Sequence, residues 1–281
     1  LYWRYWHFKT VAPAYMGLWL TRIRWALGLP RPKQHKLPHQ LVISLTSYRA
    51  RFSTLRPTLQ CLLRQSVKPD AVILWIDERD APHLPPAIKT LEQQGLTIKA
   101  TPDLMGPYKK IIPALMAYPE AAIVTADDDI YYRPHWLRDL LAGWDGNART
   151  ITCHRAHCIR YEANQPAPYA QWELDVEAPV NERLLFPTGV GGVLYPPGAL
   201  PVETTDMQRF MALSPKADDL WLFWMARRNG CTYRLAQRQH SIVAWPGSQH
   251  VGLMHSNLDG GGNDQQIAAL TAAYGWPVEP A

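Results

Sequence analysis

The sequence predicts an α/β protein: a mostly parallel sheet flanked by helices in one large domain, preceded by a helical extension. Three observations carry this. Short apolar runs alternate with helical stretches between Leu41 and Ala126, the pattern of a parallel sheet covered on both faces. A length of 281 residues allows a core of that size. A composition of 47% hydrophobic and 19% charged residues is that of a folded chain.

The first 38 residues stand apart. Trp3, Tyr5, Trp6, Phe8, Trp19 and Trp25 are interleaved with Arg4, Lys9, Arg22 and Arg24, and a Pro/Lys linker ends near Gln40. Rings at headgroup depth and cations against anionic lipid are what an interfacial helix uses. The same helix read otherwise packs on the main domain or on a partner protein. Val11–Leu20 is bounded by Lys9, Arg22 and Arg24, too short a stretch to span a bilayer and too weak for a signal peptide.

From Leu41 the elements follow in order. Leu41–Thr46 reads as a buried strand, Ser53–Arg64 as a helix with Ser53 as its N-cap, and Ala71–Asp77 as a second strand. Pro85–Gln94 reads as a helix, Leu96–Ala100 as a short strand, Tyr108–Ala117 as a helix and Ala121–Ala126 as a strand. Ligands of such sheets bind beyond the carboxyl ends of the strands, which places Tyr48, Asp77 and Asp127 on one rim. The second half is less regular, with strands expected at Arg149–Cys153 and Gly191–Tyr195. A helix is expected after Ser214-Pro215, with Ser214 as N-cap, Pro215 in the first turn, and Arg227, Arg228 and Gly230 at its far end.

The net charge of +5 favours anionic partners such as nucleotide diphosphates or acidic headgroups. No nucleic-acid motif or long basic stripe is present, so nucleic acid is not expected as a partner. Four cysteines are too few for a disulfide framework in a chain of this length. They suit free thiols in a reducing compartment, which suggests a cytoplasmic protein, peripheral on the inner face of the plasma membrane if the first segment binds lipid. Twelve Trp and thirteen Tyr serve either a core or the stacking of sugar rings.

The strongest chemical signal is Asp127-Asp128-Asp129 directly after an apolar strand. Adjacent carboxylates repel, and a divalent cation, Mg²⁺ or Mn²⁺, held by the alternate residues Asp127 and Asp129 offsets that repulsion while gripping phosphates. The plainer alternative is a solvated acidic turn. A second acidic pair, Asp218-Asp219, opens the late helix. It either compensates the helix dipole or supplies a general base. Thr188-Gly-Val-Gly-Gly192 is a loop that backbone-close ligands favour. Cys153-His-Arg-Ala-His-Cys158 is a weak zinc candidate, because strand alternation sends Cys153 and His157 to one face and His154 and Cys158 to the other.

The acidic triplet resembles the DXD motif of GT-A glycosyltransferases. "SLTSYRAR" (44–51), "LWIDERD" (74–80) and "GPYKKIIPAL" (106–115) resemble the nucleotide-binding half of bacterial family 2-like enzymes that build lipopolysaccharide or capsule. The resemblance covers 39–145 well and 186–270 loosely. It implies a GT-A, Rossmann-like fold with a nucleotide-sugar-binding half (39–145) and an acceptor-binding half with the catalytic base (146–281). It implies donor contacts from Thr46, Tyr48, Arg51, Asp77, Lys109, Lys110 and Asp128, with Gly191 and Gly192 along the donor sugar. Asp219 is implied as base over Asp218, and His255, chosen over His240 and His250, as a third metal ligand. The expected reaction is metal-dependent, inverting transfer from a nucleotide-diphosphate sugar to a carbohydrate or lipid-linked glycan. A nucleotidyl- or phosphotransferase with the same metal grip, a retaining enzyme, or an idle sugar-binding subunit are the alternatives.

Overall fold

In a computed structural model, residues 2–102, 105–177, 181–248 and 262–278 are described, with side chains from residue 11 onward. The chain forms a mixed α/β structure around one seven-stranded sheet. Its strands are β1 (Leu41–Ser47), β2 (Ala71–Asp77), β3 (Leu96–Thr101), β4 (Ala122–Ala126), β5 (Thr150–Cys153), β6 (Val193–Tyr195) and β7 (Thr232–Leu235). The order across the sheet is β7-β5-β6-β4-β1-β2-β3. All but β6 run the same way, since β6 pairs antiparallel with both β4 and β5 while the other pairs are parallel.

This order fixes where a ligand can sit. The chain steps outward from β1 to β2 and β3, then returns to lay β4 on the other side of β1. The sheet thus has a switch point between β1 and β4, beyond whose carboxyl ends sheets of this kind place their ligand crevice. Register aligns those ends: Leu45 lies opposite Ala126 and Ser47 opposite Ile76.

The strands form because their residues fit a sheet buried on both faces. Leu41, Ile43 and Leu45 pack against Leu55, Leu59 and Leu62 of α2 (Phe52–Leu63) on one side. Val42, Ile73 and Ile123 pack with Ala114 of α3 (Ile112–Ala117) on the other. After α4 (Trp136–Gly143) and α5 (Met207–Leu213), a second core under α6 (Asp218–Arg228) holds the fully buried Trp221, Phe223 and Trp224. Trp75, Trp136, Trp172 and Trp245 are buried as well, so packing uses most of the described tryptophans.

Three expected helix starts move. Ser53 is not an N-cap: a 3-10 turn over Arg49–Arg51 already coils the chain, and α2 begins at Phe52. The stretch from Tyr108 divides into a 3-10 turn, Gly106–Lys110, and then α3, with the Lys110 carbonyl accepting from Ser44 Oγ at 2.6 Å. Ser214 ends the preceding helix, Met207–Leu213, and its hydroxyl donates to the Ala217 carbonyl. The late helix therefore begins at Asp218 rather than Pro215, and the acidic pair becomes its first two residues. The strand expected from Gly191 begins at Val193, because 189–191 form a 3-10 turn and Gly192 has a φ of +95°. The stretch at 85–94 is one helical turn, Pro86–Lys89, followed by a 3-10 segment.

The N-terminal helix α1 (Tyr2–Leu27) lies on the domain. Thr21 contacts Cys61 of α2 at 3.3 Å, Arg24 Nη1 donates to Tyr131 at 2.8 Å, and the Arg64 guanidinium stacks on Trp25. The linker is tied down where Lys33–Gln34 pairs with Val67–Lys68. Among the described residues, no helix is long and apolar enough to cross a membrane.

Candidate active site

At the carboxyl end of β4 the triplet is held rigidly. Thr58 Oγ1 of α2 donates to the Asp128 carbonyl at 2.9 Å, and the Trp245 backbone N–H donates to that of Asp129 at 2.9 Å. Asp127 N–H donates to the buried Tyr132 hydroxyl at 2.8 Å. Two of the three side chains meet at Arg51, and the third turns to Lys110. Asp128 turns back toward β1, where Ser47 Oγ donates to it at 2.5 Å and Arg51 Nη1 lies 3.0 Å away. Asp129 forms a close ion pair with the same Arg51. Asp127 faces the crevice, with 28% of its side chain exposed, and reaches Lys110 Nζ at 3.0 Å.

Burial, and then the neighbouring carboxylates, push Asp128 up to about 7 despite Ser47 and Arg51. Burial and Asp127 likewise raise Asp129, against the pull of Arg51. The triplet is therefore a concentration of negative charge that the protein only partly offsets.

Lys110 links this cluster to the late helix. Its ammonium lies 3.0 Å from Asp127 and 3.0 Å from Asp218 Oδ2. Burial opposes its charge, but Asp127, Asp218 and Asp219 hold it protonated well above the ordinary lysine range. Asp219, beside it, accepts from the Gly189 N–H at 3.0–3.1 Å through both oxygens. Protein packs around Asp219 but leaves it half-buried. Burial first, then the charge of Asp218, push its carboxyl up to about 7. The acidic groups of two distant chain segments thus meet around one lysine.

The other expected donor residues line the same rim. The Thr46 hydroxyl donates to the Trp75 carbonyl at 2.9 Å. Tyr48 is exposed, with its ring beneath the Arg51 guanidinium. Asp77 accepts from the Arg79 N–H at 2.8 Å and lies 3.6 Å from Lys109 Nζ. Burial works against its charge, yet the Arg79 and Lys109 contacts hold it below the usual carboxylate range.

The glycines divide by role. A Cβ on Gly191 would meet Arg155 at 2.8 Å, and one on Gly192 would meet Trp136 at 2.4 Å. Their missing side chains make room for protein. Gly189 is the glycine at the acidic cluster, where a Cβ would lie 2.8 Å from Asp219 Oδ1 and 2.9 Å from Lys110 Nζ. Gly189, Ser47 and Tyr132 are the residues that sequence reasoning missed. Gly189 and Ser47 lie inside motifs already singled out, but no local pattern distinguishes them from their neighbours.

His255 and His250 lie outside the described residues. His240 pairs with Asp139 at 2.8 Å, on the side of the sheet that α1 covers. In the 153–158 segment, His154 Nε2 bonds the Trp136 carbonyl at 2.9 Å and His157 Nδ1 accepts from Asp175 N–H at 3.0 Å. Burial lowers both imidazoles to about 4. Among the described residues, no group of three His, Cys, Asp or Glu side chains converges as a ready-made metal cage.

A metal that shares its shell with substrate needs less than a cage: one or two carboxylates plus phosphate oxygens suffice for Mg²⁺. Five carboxylates, Asp127, Asp128, Asp129, Asp218 and Asp219, gather here around Arg51 and Lys110. That excess of hard anionic oxygen is the chemistry a divalent cation needs, with Asp127 turned to Lys110 and Asp129 held in its ion pair with Arg51.

No family model matches the chain, and no curated protein matches it. Among solved structures it is similar to the inositol-1-phosphate CTP transferase from T. maritima, with 10% identity and a TM-score of 0.40 over 84% of this chain and 98% of that one. It is also similar to S. aureus TarS 1–349, with 14% identity and a TM-score of 0.46 over 73% of this chain and 60% of that one. Likeness at this level concerns the course of the backbone and says nothing of chemistry.

Proposed function

We propose that this chain is a glycosyltransferase of the GT-A type, moving a sugar from a nucleotide-diphosphate donor to a carbohydrate or lipid-linked glycan acceptor with inversion. The observation that supports it most is Lys110, 3.0 Å from both Asp127 and Asp218. It joins an acidic site suited to a diphosphate and its counterion to an acidic site suited to proton abstraction.

In this reading the rim at Tyr48, Asp77 and Lys109 receives the nucleoside end of the donor. Asp127 and Asp129 would hold Mn²⁺ or Mg²⁺, with His255 as a further ligand, and the bound ion would offset charge on the diphosphate oxygens. Asp219 takes the proton from the acceptor hydroxyl. A carboxyl near 7 suits that task at neutral pH, where a stronger acid would be too weak a base. The acceptor oxygen bonds to the anomeric carbon, and the carbon–oxygen bond to the diphosphate breaks with its electron pair leaving on the nucleotide. The Gly189 N–H orients the base, and the dipole of α6 helps it remain anionic until it accepts the proton.

The test is to incubate the chain with Mn²⁺ and a panel of nucleotide sugars, and to identify what is released. Nucleoside diphosphate is the expected product. Release of pyrophosphate would overturn glycosyl transfer in favour of nucleotidyl transfer. Absence of stabilisation by any nucleotide sugar in thermal melts would remove the donor site.

A further inference from the structure

We propose that the outward face of α1, with the cationic cavity beside it, is a docking surface for an anionic lipid bilayer. This rests on residues outside the crevice and holds whether or not the crevice transfers sugar.

The two faces of α1 differ in what they touch. Ala14 is buried, the Thr21 side chain meets Cys61, and a Cβ on Gly17 would strike the Tyr131 ring at 2.8 Å. The opposite face carries Tyr15, Met16 and Trp19, which are 58%, 57% and 59% exposed, and the exposed Arg22 one turn further on. Positions 15, 19 and 22 form one stripe of a helix and 16 flanks it. Rings with one apolar and one polar edge, set beside a guanidinium, match the headgroup layer of a bilayer.

Charge singles out the occupant. No Asp or Glu occurs before Asp70, so α1 and its linker contribute positive side chains alone. Arg31, Lys33 and Lys36 are exposed beyond the helix. A neutral partner protein would leave these cations unmatched, whereas anionic headgroups match them.

The cavity completes the surface. It measures about 310 Å³ and is lined by Met16, Leu20, Arg24, Arg133, Arg238 and Val243 among others, with no carboxylate in its wall. Its apolar residues and its guanidinium groups suit, respectively, the upper acyl chains and the phosphate of one lipid. Met16 belongs to both features, which makes them one continuous surface.

The experiment is flotation of the full chain with vesicles of phosphatidylcholine alone, or mixed about 3:1 with phosphatidylglycerol. Binding is expected to the anionic vesicles, with release at high salt. Neutralising two exposed arginines (Arg133→Gln with Arg238→Gln) should weaken it more than about tenfold, at roughly fivefold each. Tyr15→Ser with Trp19→Ser should weaken it at low salt with all the arginines in place. All four side chains are exposed, so melting temperature and nucleotide-sugar binding should stay at parental values. Equal recovery on neutral and anionic vesicles would overturn the proposal, as would flotation of the variants at the parental level. Self-association of the parent without vesicles, abolished by Trp19→Ser, would assign the face to a second copy and equally overturn it.

Discussion

Asp219→Asn separates two roles for the carboxylate in the first turn of α6, because they predict opposite effects on stability. A carboxylate that merely compensates a helix dipole stabilises by about 0.3–1 kcal/mol, and its loss lowers the melting temperature. A carboxylate kept as a base is held where ionisation is disfavoured. Burial and Asp218 push it from 3.8 to about 7, which sets a ceiling of about 4 kcal/mol. Its partial exposure to solvent screens this to about 1–2 kcal/mol. The folded-state pKa lies above the unfolded one, so the native chain binds the extra proton between about pH 4 and 7, and stability falls as pH rises through that window. Asparagine retains an acceptor for the Gly189 N–H and carries no titrating proton. At pH 8 the variant should therefore melt about 2–6 °C higher than the parent, with the gap narrowing as pH falls from 7 toward 4. Its turnover should drop by about 10²–10⁴-fold, while donor binding by calorimetry is retained. Parental turnover should rise with pH through about 7. A variant that melts lower at pH 8 and keeps turnover within about tenfold of the parent would refute the assignment of Asp219 as base.

The two glycine sites should respond differently to alanine. Gly189→Ala places a methyl against Asp219 and Lys110 and should cost turnover with little change in melting. Gly192→Ala, at φ +95° and 2.4 Å from Trp136, should cost about 2–4 kcal/mol of stability in denaturant titrations. Lys110→Met removes the cation shared by Asp127 and Asp218. It should destabilise by about 3 kcal/mol and abolish donor binding, and adding Asp218→Asn should restore part of the stability but no activity. Chelation should reduce turnover to background, with recovery on adding Mn²⁺ or Mg²⁺, and Asp129→Ala should be inactive with a parental circular dichroism spectrum. Undiminished, metal-independent transfer by Asp129→Ala would remove the metal from the mechanism.

Local pattern alone determined the sheet-forming runs and the rim they share. Ala71–Asp77 is read from its apolar residues because a strand buried on both faces needs nothing beyond them. The acidic triplet is placed at a strand end for the same reason: Ala122–Ala126 is buried throughout and the charges begin where it stops. Tertiary structure decided what sequence spacing does not encode. It turned Asp128 inward to Ser47 and Arg51 and left Asp127 toward the crevice, because Thr58, Tyr132 and Trp245 hold the intervening backbone. It moved the start of α6 to Asp218, since the Ser214 hydroxyl is spent on Ala217 instead of capping the helix. It reversed β6, so that the Gly189 turn lies across from the end of β4 and delivers its N–H to Asp219. Each of these depends on contacts between segments far apart in the chain, and such contacts leave no period in the sequence.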